Sequence, residues 1–187
     1  PSFQRTNHSI MLFNALFFTF FVFLPMVCVH YYGYLFTLTI FFFIYLATFL
    51  IIPTAIANLY GKKIGDVWVV EHSSLVKMLG LKGLAIYPVV FVEANALTKK
   101  GNSTVILRHE TIHLRQQKEC FILPFYVFYL VEEAVRAIIL KQGWEQAYLQ
   151  ISFEREAYTY EAKRSYLKNN NRKPFAWMKY IFTSIKR

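Results

Sequence analysis

The chain's 187 residues predict an α+β fold, mostly α, in which a two-helix transmembrane hairpin precedes a small polar domain. Three observations carry that expectation. Residues 1–60 hold one charged residue, Arg5, while the other 20 of the 21 Lys and Arg and all 11 Asp and Glu stand at Lys62 or beyond. Two uncharged windows, 9–29 and 34–60, each reach the roughly 20 apolar residues that a spanning helix needs. After Gly61, short β-branched stretches give way to segments of helical pattern.

The hairpin, residues 1–60, comes first, with spans of about 9–29 and 34–58. Between them "HYYG", His30 to Gly33, reads as a tight turn carrying interfacial tyrosines. A cleaved leader has one short apolar run, and here there are two full-length ones. Arg5 before the first span and Lys62 and Lys63 after the second, around a neutral turn, put both termini and the polar domain on the cytoplasmic side. Cys28 lies in a span and Cys120 in an apolar run, which argues against a disulfide between them. The sequons at Asn7 and Asn102 are read as coincidental.

The hydrophobic fraction of 56% exceeds the roughly 45–50% of soluble domains. A net charge of +10 raises the question of nucleic acid, but no nucleic-acid fold motif accompanies the basic residues. The expected partner is instead the lipid bilayer, whose anionic head groups attract Lys and Arg by about 1 kcal/mol each near the surface. "PFAWMKYIFTSIKR" (174–187) reads either as a basic interfacial segment or as a helix packed on the domain.

Within 61–187 the elements follow in order. "GDVWVVEH" (65–72) is a strand. "SSLVKMLGL" (73–81) is a short helix, with Ser73 or Ser74 as N-cap and Gly80 as the stop. "GLAIYPVVFVEAN" (83–95) is apolar and β-branched, and Pro88 makes it an edge strand. A turn-rich loop, 97–104, ends in Ser103 or Thr104 as cap of a helix over 105–119. Residues 120–140 form a helix kinked at Pro124, lying against the hairpin or the membrane surface, or re-entrant; only 12 of its residues run uncharged, too few to span. "KQGW" breaks it, and 145–170 gives one or two helices ended by Asn169–Asn171.

The chemistry concentrates in "RHETIHLRQQKE" (108–119). His109 and His113 are four residues apart, so a helix stacks them on one face, where both imidazoles can reach one metal ion. Glu110 flanks that face and suits a general base for hydrolysis. The match H-E-x-x-H alone is moderately specific, since a solvated helix can carry it by accident. The preceding edge strand strengthens it, because such a strand can align an extended peptide by strand addition. A zinc hydrolase needs a third protein ligand. No histidine follows His113, which leaves an acid in "SFEREAYTYEAKR"; Glu154 and Glu156 stand 41 and 43 residues on.

With "RHETIHLRQQKE", a long apolar helix and then "FEREAY", residues 84–180 resemble the membrane-embedded gluzincin metallopeptidases of the HtpX and CAAX-prenyl-protease type. They are equally similar to small Bacteroidota proteins with "RHExIHxxQ" and a later "FEREAY". The resemblance implies a zincin-like domain, Zn2+ held by His109, His113 and Glu154, and a bacterial inner-membrane location. It aligns Glu154-Arg155-Glu156-Ala157-Tyr158 with an E-x-x-A-D element, and departs at Tyr158, where those families carry aspartate. The support that aspartate gives a ligating histidine is thereby unassigned, and Glu156 stays a rival ligand. Gluzincin chemistry also implies a donor to the developing oxyanion. Tyr158 is the catalytic candidate, with Tyr160 and Arg155 nearby. Arg108 and Arg115 flank the helix and suit a substrate carboxylate or plain solvation. Glu132, Glu133 and Arg136 read as an internal ion-pair set, and Gln116 and Gln117 carry no assigned chemistry.

The expected activity is zinc-dependent hydrolysis of peptide bonds near the membrane surface. Its rival, favoured by the missing aspartate and the aromatic-rich helices, is a non-catalytic zincin-fold subunit of a membrane protein complex.

Overall fold

In the computed structural model, residue 19 and residues 24–71, 73–93, 102–141, 143–168 and 171–182 are described. The chain is a mixed α+β structure, mostly helical. Helix α1, Leu24–Tyr32, is followed by Gly33 at φ 80 and then by α2, Tyr34–Tyr60, continuous through a π-helical turn at Ala47–Ile51. Among the described residues α2 is the one helix long and apolar enough to cross a membrane, and little of it is buried. Most of the expected first span, 9–29, lies outside the described residues, as does most of the loop 97–104.

A four-stranded sheet follows, in the order β1-β2-β4-β3, where β1 is Lys62–Ile64, β2 Val67–Val70, β3 Gly83–Ile86 and β4 Val89–Val92. β1 and β2 pair antiparallel, β2 and β4 parallel, and β3 and β4 antiparallel. One strand here was not expected, and one expectation changes. The stretch 62–64, too short and too charged to read as a strand, pairs with β2 through a turn that Gly65 makes at φ 62. The single strand expected over 83–95 is a hairpin that turns at Tyr87-Pro88, so β3 is the edge and the fully buried β4 is central.

Between β2 and β3 runs α3, Ser74–Leu79. The Ser73 hydroxyl accepts from Val76 N and Gly80 ends the helix in a left-handed conformation, so capping and termination follow the local residues. Strand alternation divides the core. Val69, Val90, Val92 and Ala85 face Leu107 and Leu114 of α4, Asn102–Glu119. Val70, Val89 and Phe91 face Ala57 of α2 and Val76 of α3. The sheet is thus clamped between the active-helix candidate and the end of the apolar helix. Because α4 begins at Asn102, Ser103 and Thr104 lie in its first turn rather than capping it.

After α4, Phe121 and Ile122 take positive φ and α5 runs over Leu123–Ala134, extended by a π turn at Val135–Ile139. Pro124 sits in its first turn, where it needs no N–H partner, and starts the helix instead of kinking it. Lys141 (φ 51) and Gly143 (φ 76) break the chain before α6, Trp144–Gln150. An extended Ile151 separates α6 from α7, Ser152–Tyr160, which ends well before Asn169–Asn171. In the C-terminal segment a 3-10 turn, Ala176–Tyr180, packs on the domain: Trp177 is buried with its ring centroid 4.3 Å from that of Phe153. Residues 183–187 of that segment lie outside the described ones.

Candidate metal centre

Helix α4 brings three side-chain sets to three neighbours by its 3.6-residue period. Leu107 and Leu114 face the sheet, Glu110 and Gln117 face the rim of β3, and His109, His113 and Gln116 face α7. From α7, Glu154 turns inward to meet the histidines. His109 Nε2 and His113 Nε2 are 3.1 Å apart. Glu154 Oε2 is 3.3 Å from His109 Nε2, and Oε1 is 3.2 Å from His113 Nε2. All three residues are buried.

The ring nitrogens on the far side decide which lone pairs face this centre. The Gln116 amide nitrogen donates to Phe153 O at 3.1 Å and to Glu156 Oε2 at 3.0 Å. A backbone carbonyl only accepts, so the amide orientation is determined, and Gln116 Oε1 faces His113 Nδ1 at 2.7 Å. His113 Nδ1 therefore carries the hydrogen. His109 Nδ1 meets the Glu161 carboxylate at 2.9 Å and carries its hydrogen for the same reason. Both Nε2 atoms, in neutral rings, then direct lone pairs at each other and at a carboxylate. Two ring nitrogens and the two Glu154 oxygens, this close together, form a site that a cation would stabilise.

Two cations suit that site. One is a proton. Burial disfavours charge on His109, but its hydrogen bonds to Glu154 and Glu161 outweigh that and raise its pKa to about 10. His113 moves up too, against its burial, through the charge of Glu154. Glu154, despite burial, is held well below the usual carboxylate range by the two histidines. The other is a metal ion. Ligands about 2.0–2.1 Å from a tetrahedral zinc stand about 3.3 Å from one another. The two Nε2 atoms are 3.1 Å apart, each has one Glu154 oxygen at 3.2–3.3 Å, and one ligand atom from each residue lies within 4.8 Å of the others. With the rings neutral, buried Glu154 Oε2 has no hydrogen-bond donor, and its lone pair is free for such an ion. The residues present fit the group.

Tyr129 of α5 donates to Glu154 Oε1 at 2.8 Å, and Glu132 caps α7, accepting from Ser152 N at 3.0 Å and from its hydroxyl at 2.6 Å. Arg136 pairs with Glu132 at 2.7 Å, so the expected ion pair braces the helix that carries Glu154. Glu156, two residues on, meets Gln116 rather than the histidines. It accepts from Tyr166 OH at 2.8 Å and from Arg172 Nε at 2.6 Å, and Arg172 also pairs with Glu119. Glu156 is thereby committed away from the histidines.

Glu110 lies beside the centre against β3. Burial raises its pKa, and the Ala85 N–H partly opposes that. A Cβ at Gly83 would stand 2.6 Å from Glu110 Oε1, so glycine is needed there for close approach. Outward groups at the C-terminal end of β3 are already used: Gln117 donates to Ala85 O at 2.8 Å and accepts from Tyr87 N, just past the strand, at 2.9 Å, and Tyr126 OH reaches Ala85 O at 3.3 Å. The strand expected to align a peptide thus has the C-terminal end of its open edge occupied by Gln117 and Tyr126.

Tyr158 is exposed and sets its ring edge-on to His109, centroids 4.7 Å apart. Partial burial and the charge of Glu154 push its phenol pKa up, partly opposed by its hydrogen bond with Tyr148. The other two oxyanion candidates are engaged elsewhere. Arg155 donates to Tyr180 O at 2.9 Å, and Tyr160 stacks on Tyr166 and accepts from Lys179. Arg108 donates to Glu161 O, and Arg115 is exposed. Gln116 and Glu161 were not foreseen. Each lies on the ligand-bearing face, Gln116 three residues after His113 and Glu161 seven after Glu154, and that helical spacing is the signal that finds them. Comparison with family models, curated proteins and solved structures gives no match to this chain.

Proposed function

We propose that the chain is a membrane-anchored zinc-dependent metallopeptidase of the bacterial inner membrane. The observation that carries this reading is the convergence of His109, His113 and Glu154, with Glu110 one residue from the first histidine. In this reading α2 is the second span of a two-helix hairpin, both termini are cytoplasmic, and 61–187 is a minimal zincin-like domain. His109, His113 and Glu154 hold the ion. Zinc bound there supplies a Lewis acid that polarises a carbonyl and acidifies water. Glu110 takes a proton from the attacking water and passes it to the departing amine, so one peptide bond and one O–H bond break as a C–O and an N–H bond form. Its burial, which raises its affinity for a proton, supports that role. Tyr158, whose ring lies against that of His109, is the donor assigned to substrate in this reading.

The test is purified protein in detergent. About one zinc per chain is expected, retained in Glu110→Gln, with cleavage of membrane-associated peptides lost in that variant. Absence of zinc from metal-replete protein overturns the reading.

A second reading is a non-catalytic metal-bearing subunit of a membrane complex. The occupied end of the β3 edge favours it, because a peptide added there as a strand must displace Gln117. Identical proteomes in wild-type and Glu110→Gln cells, with a stable stoichiometric partner, decide for it.

A further inference from the structure

Phe125 and Tyr126 in the first half of α5 face the core, but its second half and the π turn are built inside out. A surface helix of a water-exposed domain turns its charges outward and its apolar stripe to the core. Here Glu133 is 2% and Arg136 6% exposed, while Ile138 is 64% and Ile139 68% exposed. Phe128, Val131 and Val135 continue the outward apolar face toward its N-terminal end. The inward charges serve the interior: Arg136 pairs with Glu132, which caps α7. Inward charge with outward hydrocarbon is the pattern of segments at membrane depth.

Its place along α2 agrees. Tyr45 OH donates to Phe121 O at 3.3 Å, and the Phe49 ring lies 5.3 Å from that of Tyr126. Tyr45 and Phe49 sit near the middle of the 27-residue α2, so the start of α5 stands level with its midpoint. Phe121 there is largely exposed. If α2 crosses the bilayer, this exposed surface meets acyl chains, not water.

We infer that the outward face of residues 121–140 contacts the hydrocarbon of the bilayer, so that α5 is a re-entrant arm beside α2 and the polar domain is partly sunk in the membrane. This rests on the reading of α2 as a span. It deepens the proposed function, because Tyr129, on the inner side of the same arm, holds Glu154. One helix, about 10–12 Å thick, then separates the metal-centre candidates from lipid. The substrate class becomes peptide bonds at or within the membrane boundary.

The experiment uses nitroxide labels on single cysteines, in full-length protein reconstituted into phosphatidylcholine–phosphatidylglycerol vesicles. Cys28 is replaced by serine, and Cys120, buried with its thiol pushed up to about 11, stays native. Labels at Val131 and Ile138 test the arm, a label at Phe42 tests α2, and a label at exposed Glu145 is the water reference. The expected result is collision with oxygen several-fold above that with a nickel chelate at Val131, Ile138 and Phe42, and the reverse at Glu145. Nickel-accessible Val131 and Ile138 beside a lipid-exposed Phe42 overturn the arm and leave the span standing. Nickel access at all of them overturns the span as well. Labels at Val131 and Ile138 shielded from both colliders show a second copy or partner protein on this face, which also overturns the inference.

Discussion

His113 Nδ1 lies 2.7 Å from Gln116 Oε1, and the Gln116 amide cannot be turned over, because its nitrogen is spent on Phe153 O and Glu156. Gln116 thus holds His113 in the tautomer that offers Nε2 to the centre. Replacing Gln116 by Leu removes that hold, and Glu161→Gln weakens the equivalent one on His109. Each variant is expected to lose about 10- to 100-fold in zinc affinity, the usual cost of removing a partner of a ligating histidine. Competition with a fluorescent chelator measures it; unchanged affinity in both removes these residues from the ligand support.

The close approach at Gly83 gives a coupled pair. Gly83→Ala places a methyl against the Glu110 carboxylate and is expected to destabilise by about 1–3 kcal/mol, the cost of overpacking. Zinc content should persist while hydrolysis falls. Adding Glu110→Ala removes the clash, so the double variant melts above Gly83→Ala alone. Additive melting temperatures refute the contact.

Arg172 neutralises two carboxylates, Glu119 and the fully buried Glu156. Arg172→Ala leaves Glu156 buried without its cation, and about 3–5 kcal/mol of stability should be lost. Arg172→Ala combined with Glu156→Gln should recover part of it. Thermal unfolding in detergent, followed by circular dichroism, measures both.

The metal-free and metal-loaded chains should respond oppositely to pH. Without metal, His109 has a folded pKa raised from 6.5 to about 10. Its contribution to stability is complete below about 6.5 and is lost as pH rises toward 10. Glu154 has a depressed folded pKa, so its share is present above about 4.5 and lost on acidification. A metal needs both imidazoles unprotonated, so loading becomes easier as pH rises. The gap in melting temperature between loaded and metal-free protein should therefore widen from pH 6 to pH 9. A constant gap contradicts the ligand set.

How much of this was written in the chain depends on the range of the interaction. Ser73, Gly80 and the helical stacking of His109 on His113 are local, and local residues announced them. The turn at Gly65 and the hairpin within 83–95 were missed because strands of three or four residues carry little periodicity, and only pairing across the sheet makes them strands. Glu154 and Glu156 were open rivals, since residues two apart on a helix point to nearly opposite sides. What turns Glu156 away is Arg172, 16 residues on, and that meeting is created by the fold. Glu161 meets His109 across 52 residues for the same reason.

Gln117 has a further effect, on association. By giving its amide N–H to Ala85 O and taking the Tyr87 N–H, it occupies groups that a new strand would bind, which opposes growth of the sheet on that side. Among the described residues the other edge of the sheet is β1. It is three residues long and carries Lys62 and Lys63, whose charges repel a second copy of the same strand. An apolar, β-branched sheet with open edges would otherwise be prone to recruit copies of itself. A single glutamine and two lysines make it self-limiting.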